Sequence, residues 1–320
     1  MDLGRDAAQG VERFMAAVVR KQLWKRIFLN YELYVFLLPA FLYFAIFHYA
    51  PLYGLQIAFK EFNPVKGIWG SPWVGFEHVV RFFRSFHFWT LIRNTLGIGV
   101  YSLAVGFPIP ILLALMLNEV RNGAFKKTVQ MVTYAPHFIS VVVMVGMILT
   151  FLKTPNGLVN QLLRVFGGRA VAFMARERWF WTVYVLTGVW QNAGWGTIIY
   201  LASLSAIDTE VYEASIMDGA SRLQRIRHIN IPAILPMIVV LLILDTGHVL
   251  SVGFEKIYLM QNPLNLAFSE VISTYVYKAG LQSFQYSFAS AVGLVNSAVN
   301  FVLLVTVNSI VRVSGETVLW

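Results

Sequence analysis

The sequence predicts an all-α integral membrane protein with six transmembrane helices and a basic amphipathic helix at its N-terminus. Three observations carry this reading. Of 320 residues, 58% are hydrophobic and only 13% charged, against roughly 45–50% apolar and about 25% charged in soluble domains. The charges avoid six windows, each long enough to cross a bilayer. Ahead of the first window, apolar residues recur at helical spacing beside lysines and arginines. Cysteine is absent, which excludes disulfides, thiolate catalysis and thiolate-bound metals.

Residues 1–30 come first. Val11, Phe14, Met15, Val18 and Val19 lie among Arg13, Arg20, Lys21, Lys25 and Arg26, the pattern of a helix lying on an anionic leaflet. A cleaved signal peptide is disfavoured, because the apolar run that follows is too long and no small-residue cleavage site ends it. Residues 31–320 then form one transmembrane domain. Crossing a hydrocarbon core of about 30 Å takes about 20 helical residues, with every backbone group paired internally. The spans fall at 33–59, 95–118, 128–152, 182–206, 232–254 and 286–311, and within them only Asp245 carries a formal charge. His48, followed by Pro51, predicts a kink or a bundle hydrogen bond late in the first span.

The net charge of +9 suggests nucleic acid, anionic lipid or an acidic partner. Nucleic acid is excluded, since so apolar a chain leaves little soluble surface for a basic face. Arg20, Lys21, Lys25 and Arg26 precede the first span while only Lys60 and Lys66 closely follow it, which places the N-terminus in the cytoplasm. Six spans return the C-terminus to the same side. Over the whole chain the 25 Lys and Arg divide almost evenly, 13 inside and 12 outside, and with the carboxylates counted the outer segments hold +7 of the net charge. Snorkelling to lipid phosphates explains that excess, and so does attraction of an acidic binding protein or a polyuronate.

Between the fourth and fifth spans, residues 207–231 place acidic residues first (Asp208, Glu210, Glu213, Asp218), then Gly219, then Arg222, Arg225 and Arg227. A short helix ending near Gly219 and a second running into the membrane, with Pro232 at its start, form a compact docking knob. Glu213-Ala214-Ser215, three residues, Gly219, nine residues, Ile229, Asn230 and Ile231-Pro232 resemble the signature of permease subunits of binding-protein-dependent ABC importers. That signature reads Glu-Ala-Ala, Gly, Ile and Leu-Pro at this spacing; Ser215 and Ile231 are conservative departures. Asp218-Gly219-Ala220 matches the extension of the carbohydrate-uptake class. The stretches at 73–83, 88–96, 189–207 and 253–263 look like further parts of the same family, so the resemblance covers nearly the whole span region.

The resemblance implies the type I ABC importer permease fold, a bacterial cytoplasmic (inner) membrane location, and partners: a second homologous permease, two ATPase subunits and an extracytoplasmic solute-binding protein. It implies that Glu213, Ala214, Ser215, Asp218, Gly219, Ala220, Arg222, Ile229 and Pro232 couple to the ATPases, and that the cargo is an oligosaccharide, acidic and alginate-like. The sequence has no GxxxxGK[ST] phosphate loop, so ATP and Mg are expected in the partner ATPase chains and no cofactor in this one. Arg222 and Arg225 suit acidic ATPase residues or lipid phosphates alike.

For the cargo path, Trp190, Gln191, Asn192 and Trp195, with Asn94, Tyr134 and His137 at other span edges, can stack on sugar rings and bind hydroxyls, although Tyr and Trp also collect at membrane interfaces. Asp245 and His248 lie three residues apart on one helix face. They line the path, serve as a proton relay, or are held inside the bundle or in a wet cavity. The alternative function is a stand-alone proton-coupled secondary transporter using Asp245, against which no inverted repeat is found. The six histidines show no metal-ligand spacing and no reactive constellation appears, so neither catalytic nor metal-binding residues are assigned.

Overall fold

The computed structural model describes residues 30–313. The amphipathic helix expected over 1–30 lies outside the described residues, as does 314–320. The chain divides into two units, Met1–Gln56 and Ile57–Trp320. Among the described residues there is no strand, only an isolated bridge between Lys60 and Trp73.

Helix α1 (Tyr31–Phe59) has a mean hydropathy of 1.8 and no buried residue in its most apolar window. A helix that is apolar all round and exposed requires lipid or another protein around it. It is α-helical to Phe44, then makes a π turn over Ala45–Tyr49 and continues as 3₁₀ over Ala50–Phe59. Pro51, which cannot donate to the preceding turn, thus produces a change of winding, and the His48 ring packs on Tyr43 and Phe44.

The second unit continues with α2 (Glu77–Phe83), α3 (Phe88–Asn118), α4 (Gly123–Phe138), α5 (Val141–Phe151), α6 (Glu177–Ser205), α7 (Thr209–Met217), α8 (Arg222–Gly247), α9 (Phe254–Met260), α10 (Ile272–Tyr277) and α11 (Tyr286–Val313). α1, α3, α8 and α11 are long and apolar enough to span by composition. The window at 128–152 is not straight: α4 and α5 meet at 99°. Pro136 sits in the closing 3₁₀ turn of α4, and Ser140 Oγ accepts the Val143 N–H to start α5. α6 has the length to cross, 29 residues, but its glycines, amides and tryptophans keep it from the apolar group. It is the central helix, packed on α3, α4 and α8. Close approach requires glycine in two places: a Cβ on Gly194 of α6 would run into the Thr133 carbonyl of α4, and one on Gly99 of α3 into the Val249 carbonyl just after α8.

The core follows from this arrangement. Ala114, Leu115 and Leu117 of α3 meet Tyr200, Leu201 and Leu204 of α6 and Ile234 of α8 at one end. At the other, Ile98, Met144, Val145, Ile148 and Phe180 enclose Ile257 and Met260 of α9. α8 begins earlier than its proline suggests: a π turn over Ile226–Asn230 lets the helix run through Pro232. It ends at Gly247, so the last residues of the window to 254 are turns.

Candidate functional site

The knob is built by its caps. Asp208 accepts the Glu210 N–H at 2.9 Å and opens α7. Gly219, at φ +75°, reverses the chain, and Ala220 N donates to Ser215 O at 2.9 Å. A Cβ at Gly219 would meet nothing within 4 Å, so glycine is required here by backbone conformation alone. Ser221 and Gln224 form a capping box that starts α8. Glu213, Ala214, Asp218, Gly219, Arg222 and Pro232 are exposed, and Ser215, Ala220 and Ile229 half-buried. Ile216, Met217 and Leu223 are exposed beside them, an apolar contribution to the knob that the charge pattern did not reveal.

Arg225 departs from expectation. It is buried and bonded within the chain: Nη2 to Glu119 Oε2 at 3.0 Å and Nη1 to the Ala220 carbonyl at 3.1 Å. Held this way it serves neither an ATPase carboxylate nor a lipid phosphate. Beside it the Tyr212 hydroxyl donates to Asn230 Oδ1 and accepts from Asn118 Nδ2. Burial pushes the Tyr212 phenol up, so it stays protonated and able to donate. Four residues the sequence did not single out, Asn118, Glu119, Tyr212 and Asn230, therefore tie the knob to the end of α3 and to α8.

The polar residues of α6 separate into two groups. Gln191 is buried, and its amide donates to the Ile139 carbonyl at 2.8 Å, supporting the α4–α5 bend; as placed, it does not face a path. Asn192 and Trp195 are exposed. The His137 ring stacks on Trp195 with centroids 4.5 Å apart, and His137 Nδ1 lies 3.1 Å from Asn192 Oδ1. Asn192 also donates to the Gly188 carbonyl at 3.0 Å. Trp190 is exposed but takes no part in this cluster. Asn94 is buried and donates to the Ala267 and Glu270 carbonyls, and Tyr134 meets Thr197 inside the bundle.

Asp245 and His248 open onto a cavity of about 250 Å³ lined also by Ser102, Tyr184, Ser251 and Gly253. His248 Nδ1 lies 2.8 Å from the Leu244 carbonyl. Of the hydrogen bonds and ion pairs among the described residues, none involves the Asp245 carboxylate, which leaves it facing the cavity. Close by, Lys256 of α9 is buried, donates to the Tyr184 carbonyl at 2.8 Å and lies 4.6 Å from the centre of that residue's ring. Burial pushes its ammonium down to about 7. The other outward cations are less bare than their count implies. Arg93 pairs with Glu177, Lys278 with Glu270 at 2.8 Å, Arg81 bonds Gln285, and Lys60 donates to the Ile68 carbonyl.

Residues 106–313 match the binding-protein-dependent transport system inner membrane component family. The chain belongs to that family. This permease is 45% identical over 297 residues to the polygalacturonan/rhamnogalacturonan transport system permease protein YteP of Bacillus subtilis (strain 168), covering 93% of this chain and 92% of the relative. It is also similar to a chain in the crystal structure of a bacterial ABC transporter involved in the import of the acidic polysaccharide alginate, with TM-score 0.84, 43% identity, and coverage of 91% of this chain and 98% of the other. A second structure, of a bacterial alginate ABC transporter in complex with alginate pentasaccharide-bound periplasmic protein, gives TM-score 0.85 and 41% identity over 93% and 99%. The molecule is thus an all-α, multi-pass permease of the type I fold, belonging to a binding-protein-dependent sugar ABC importer. The alternative of a stand-alone carrier built on Asp245 gives way to this membership.

Proposed function

We propose that this permease forms, with a second homologous permease, the path for an acidic oligosaccharide delivered by an extracytoplasmic binding protein, and that the knob at 207–231 docks into separate ATPase subunits that bind and hydrolyse ATP. The observation that carries the proposal is the bracing of the knob. Glu119 and Asn118 bind it to α3, and Ser221 starts it directly into α8. The same two helices line the cavity further along, through Gly99–Gly106 of α3 and Asp245 at the end of α8. A push on the knob therefore reaches both walls of the cavity, because helices are stiff and packed interfaces switch between discrete arrangements.

Docking through the exposed residues Glu213, Asp218 and Arg222 sets the knob in the cytoplasm and, with it, both termini. Asn192, Trp195 and His137 offer an aromatic face and amide groups to a sugar, while Asp245 and His248 accept or donate to hydroxyls. Acidity of the cargo is supported by the alginate and polygalacturonan named for the relatives, both polymers whose sugars bear carboxylates. The test is ATPase stimulation of the full complex by binding protein loaded with uronic or neutral oligosaccharides of equal length. Stimulation by the uronic series, lost in Gly219→Val, is expected; equal stimulation by neutral sugars would overturn the acidic reading, and unaltered coupling in Gly219→Val the docking one.

A further inference from the structure

Lys256 is a buried basic group without a carboxylate partner among the described residues. It is 8% exposed, and the ion pairs among the described residues join Arg93, Arg225 and Lys278 to Glu177, Glu119 and Glu270, none of them to Lys256. One of its three donors is used, on the Tyr184 carbonyl. A cation kept out of water is costly unless a carboxylate compensates it, and an aliphatic side chain of similar length would fill the same space more cheaply. Burial lowers its basicity, and no carboxylate among the described residues pairs with it to offset that.

Its position suggests where the partner comes from. A Cβ on Gly188 would lie 3.4 Å from Lys256 Nζ, so only a glycine separates the ammonium from that face of α6. Gly188 is one turn from Asn192, whose amide bonds its carbonyl. Tyr184, on which the ammonium rests, lines the cavity with Asp245 and His248. The ammonium thus lies against α6 between Tyr184, which lines the cavity, and Gly188, one turn before Asn192.

We propose that Lys256 supplies the counter-charge for a sugar carboxylate passing Gly188, and so selects acidic over neutral oligosaccharides. Asp245, the carboxylate of the same cavity, repels an anion and takes hydroxyls, which orients the cargo with its acid group toward Lys256. This rests on the acidic-cargo reading above.

The experiment is uptake by the complete complex in proteoliposomes, comparing a mannuronate tetrasaccharide with its carboxyl-reduced counterpart. Lys256→Met is expected to lower the acidic-to-neutral uptake ratio tenfold or more, and Lys256→Arg to keep it within about threefold, since a cation remains. Gly188→Val sets a side chain against the ammonium, at Cβ–Nζ 3.4 Å, while leaving Lys256 itself in place; it is expected to reproduce the Lys256→Met loss, which keeps the test valid if Lys256→Met does not fold. An unchanged ratio in either Lys256→Met or Gly188→Val overturns the proposal. A wild-type complex that favours the carboxyl-reduced sugar instead removes the acidic-cargo reading and the proposal with it.

Discussion

Removing the carboxylate of Glu119 tests how the knob is held. Glu119→Gln leaves Arg225 charged, with side chains in the pair only 10% and 13% exposed. Breaking a buried pair from one side costs about 3–5 kcal/mol, because the remaining charge is uncompensated. Gln can still accept one hydrogen bond, and Arg225 keeps the Ala220 carbonyl, so the lower end, about 3 kcal/mol, is expected. Arg225→Met should cost about as much alone, whereas the double variant should cost clearly less than the sum, because replacing both charges by less polar groups is often near neutral. Reversible denaturant unfolding in detergent measures the cycle, and a coupling of about 2 kcal/mol or more is predicted. The functional signature is ATP hydrolysis that continues while uptake per ATP falls. Strictly additive stabilities, or full uptake per ATP in Glu119→Gln, would refute the bracing.

Gly219→Val places a β-branched residue at φ +75°, costing about 1–2 kcal/mol or more of local backbone strain, while Gly219→Asn tolerates that conformation; uptake assays should find the first impaired and the second near wild type. Tyr212→Phe removes the hydroxyl between Asn118 and Asn230 and should cost about 1–3 kcal/mol, read as a lower thermal midpoint. Gln191→Leu orphans the Ile139 carbonyl and should lower stability by a similar amount, whereas Asn192→Leu should reduce sugar uptake with little effect on the midpoint. Lys256 gives a pH signature. Its folded value of about 7 lies below an unfolded value of about 10.4, so the penalty for charging it is fully present below about pH 7. That penalty fades as the pH rises toward the unfolded value. The thermal midpoint of wild type should climb from pH 7 to 9 relative to Lys256→Met, and parallel curves would contradict this.

Much of this was legible in the residues. Charge-free windows located the long helices because lipid excludes charge, and even α6, too polar to stand out by hydropathy, was marked by the absence of Asp, Glu, Lys and Arg from Trp179 onward. The knob was legible through Gly219 and Pro232, local helix-boundary signals; Asp208 and Ser221, which cap its helices by bonding neighbours within a few residues, were not read as caps. What stayed hidden depends on distant partners. Gln191 and Asn94 bond carbonyls far away in the chain, so their spacing looked like a sugar path when their amides serve the scaffold. Arg225 looked like a free knob charge because Glu119 is 106 residues away. Lys256 was counted among the outward cations, since nothing local says that α9 folds back against α6.

Energy coupling is the central claim, and one measurement reaches it most directly. Proteoliposomes holding the permease with its partner permease and ATPases would be supplied with binding protein carrying a mannuronate tetrasaccharide, and uptake followed with ATP inside or with a proton gradient alone. Uptake that needs ATP and survives a protonophore is the predicted result. Uptake that survives ATP depletion and collapses with the protonophore would contradict it.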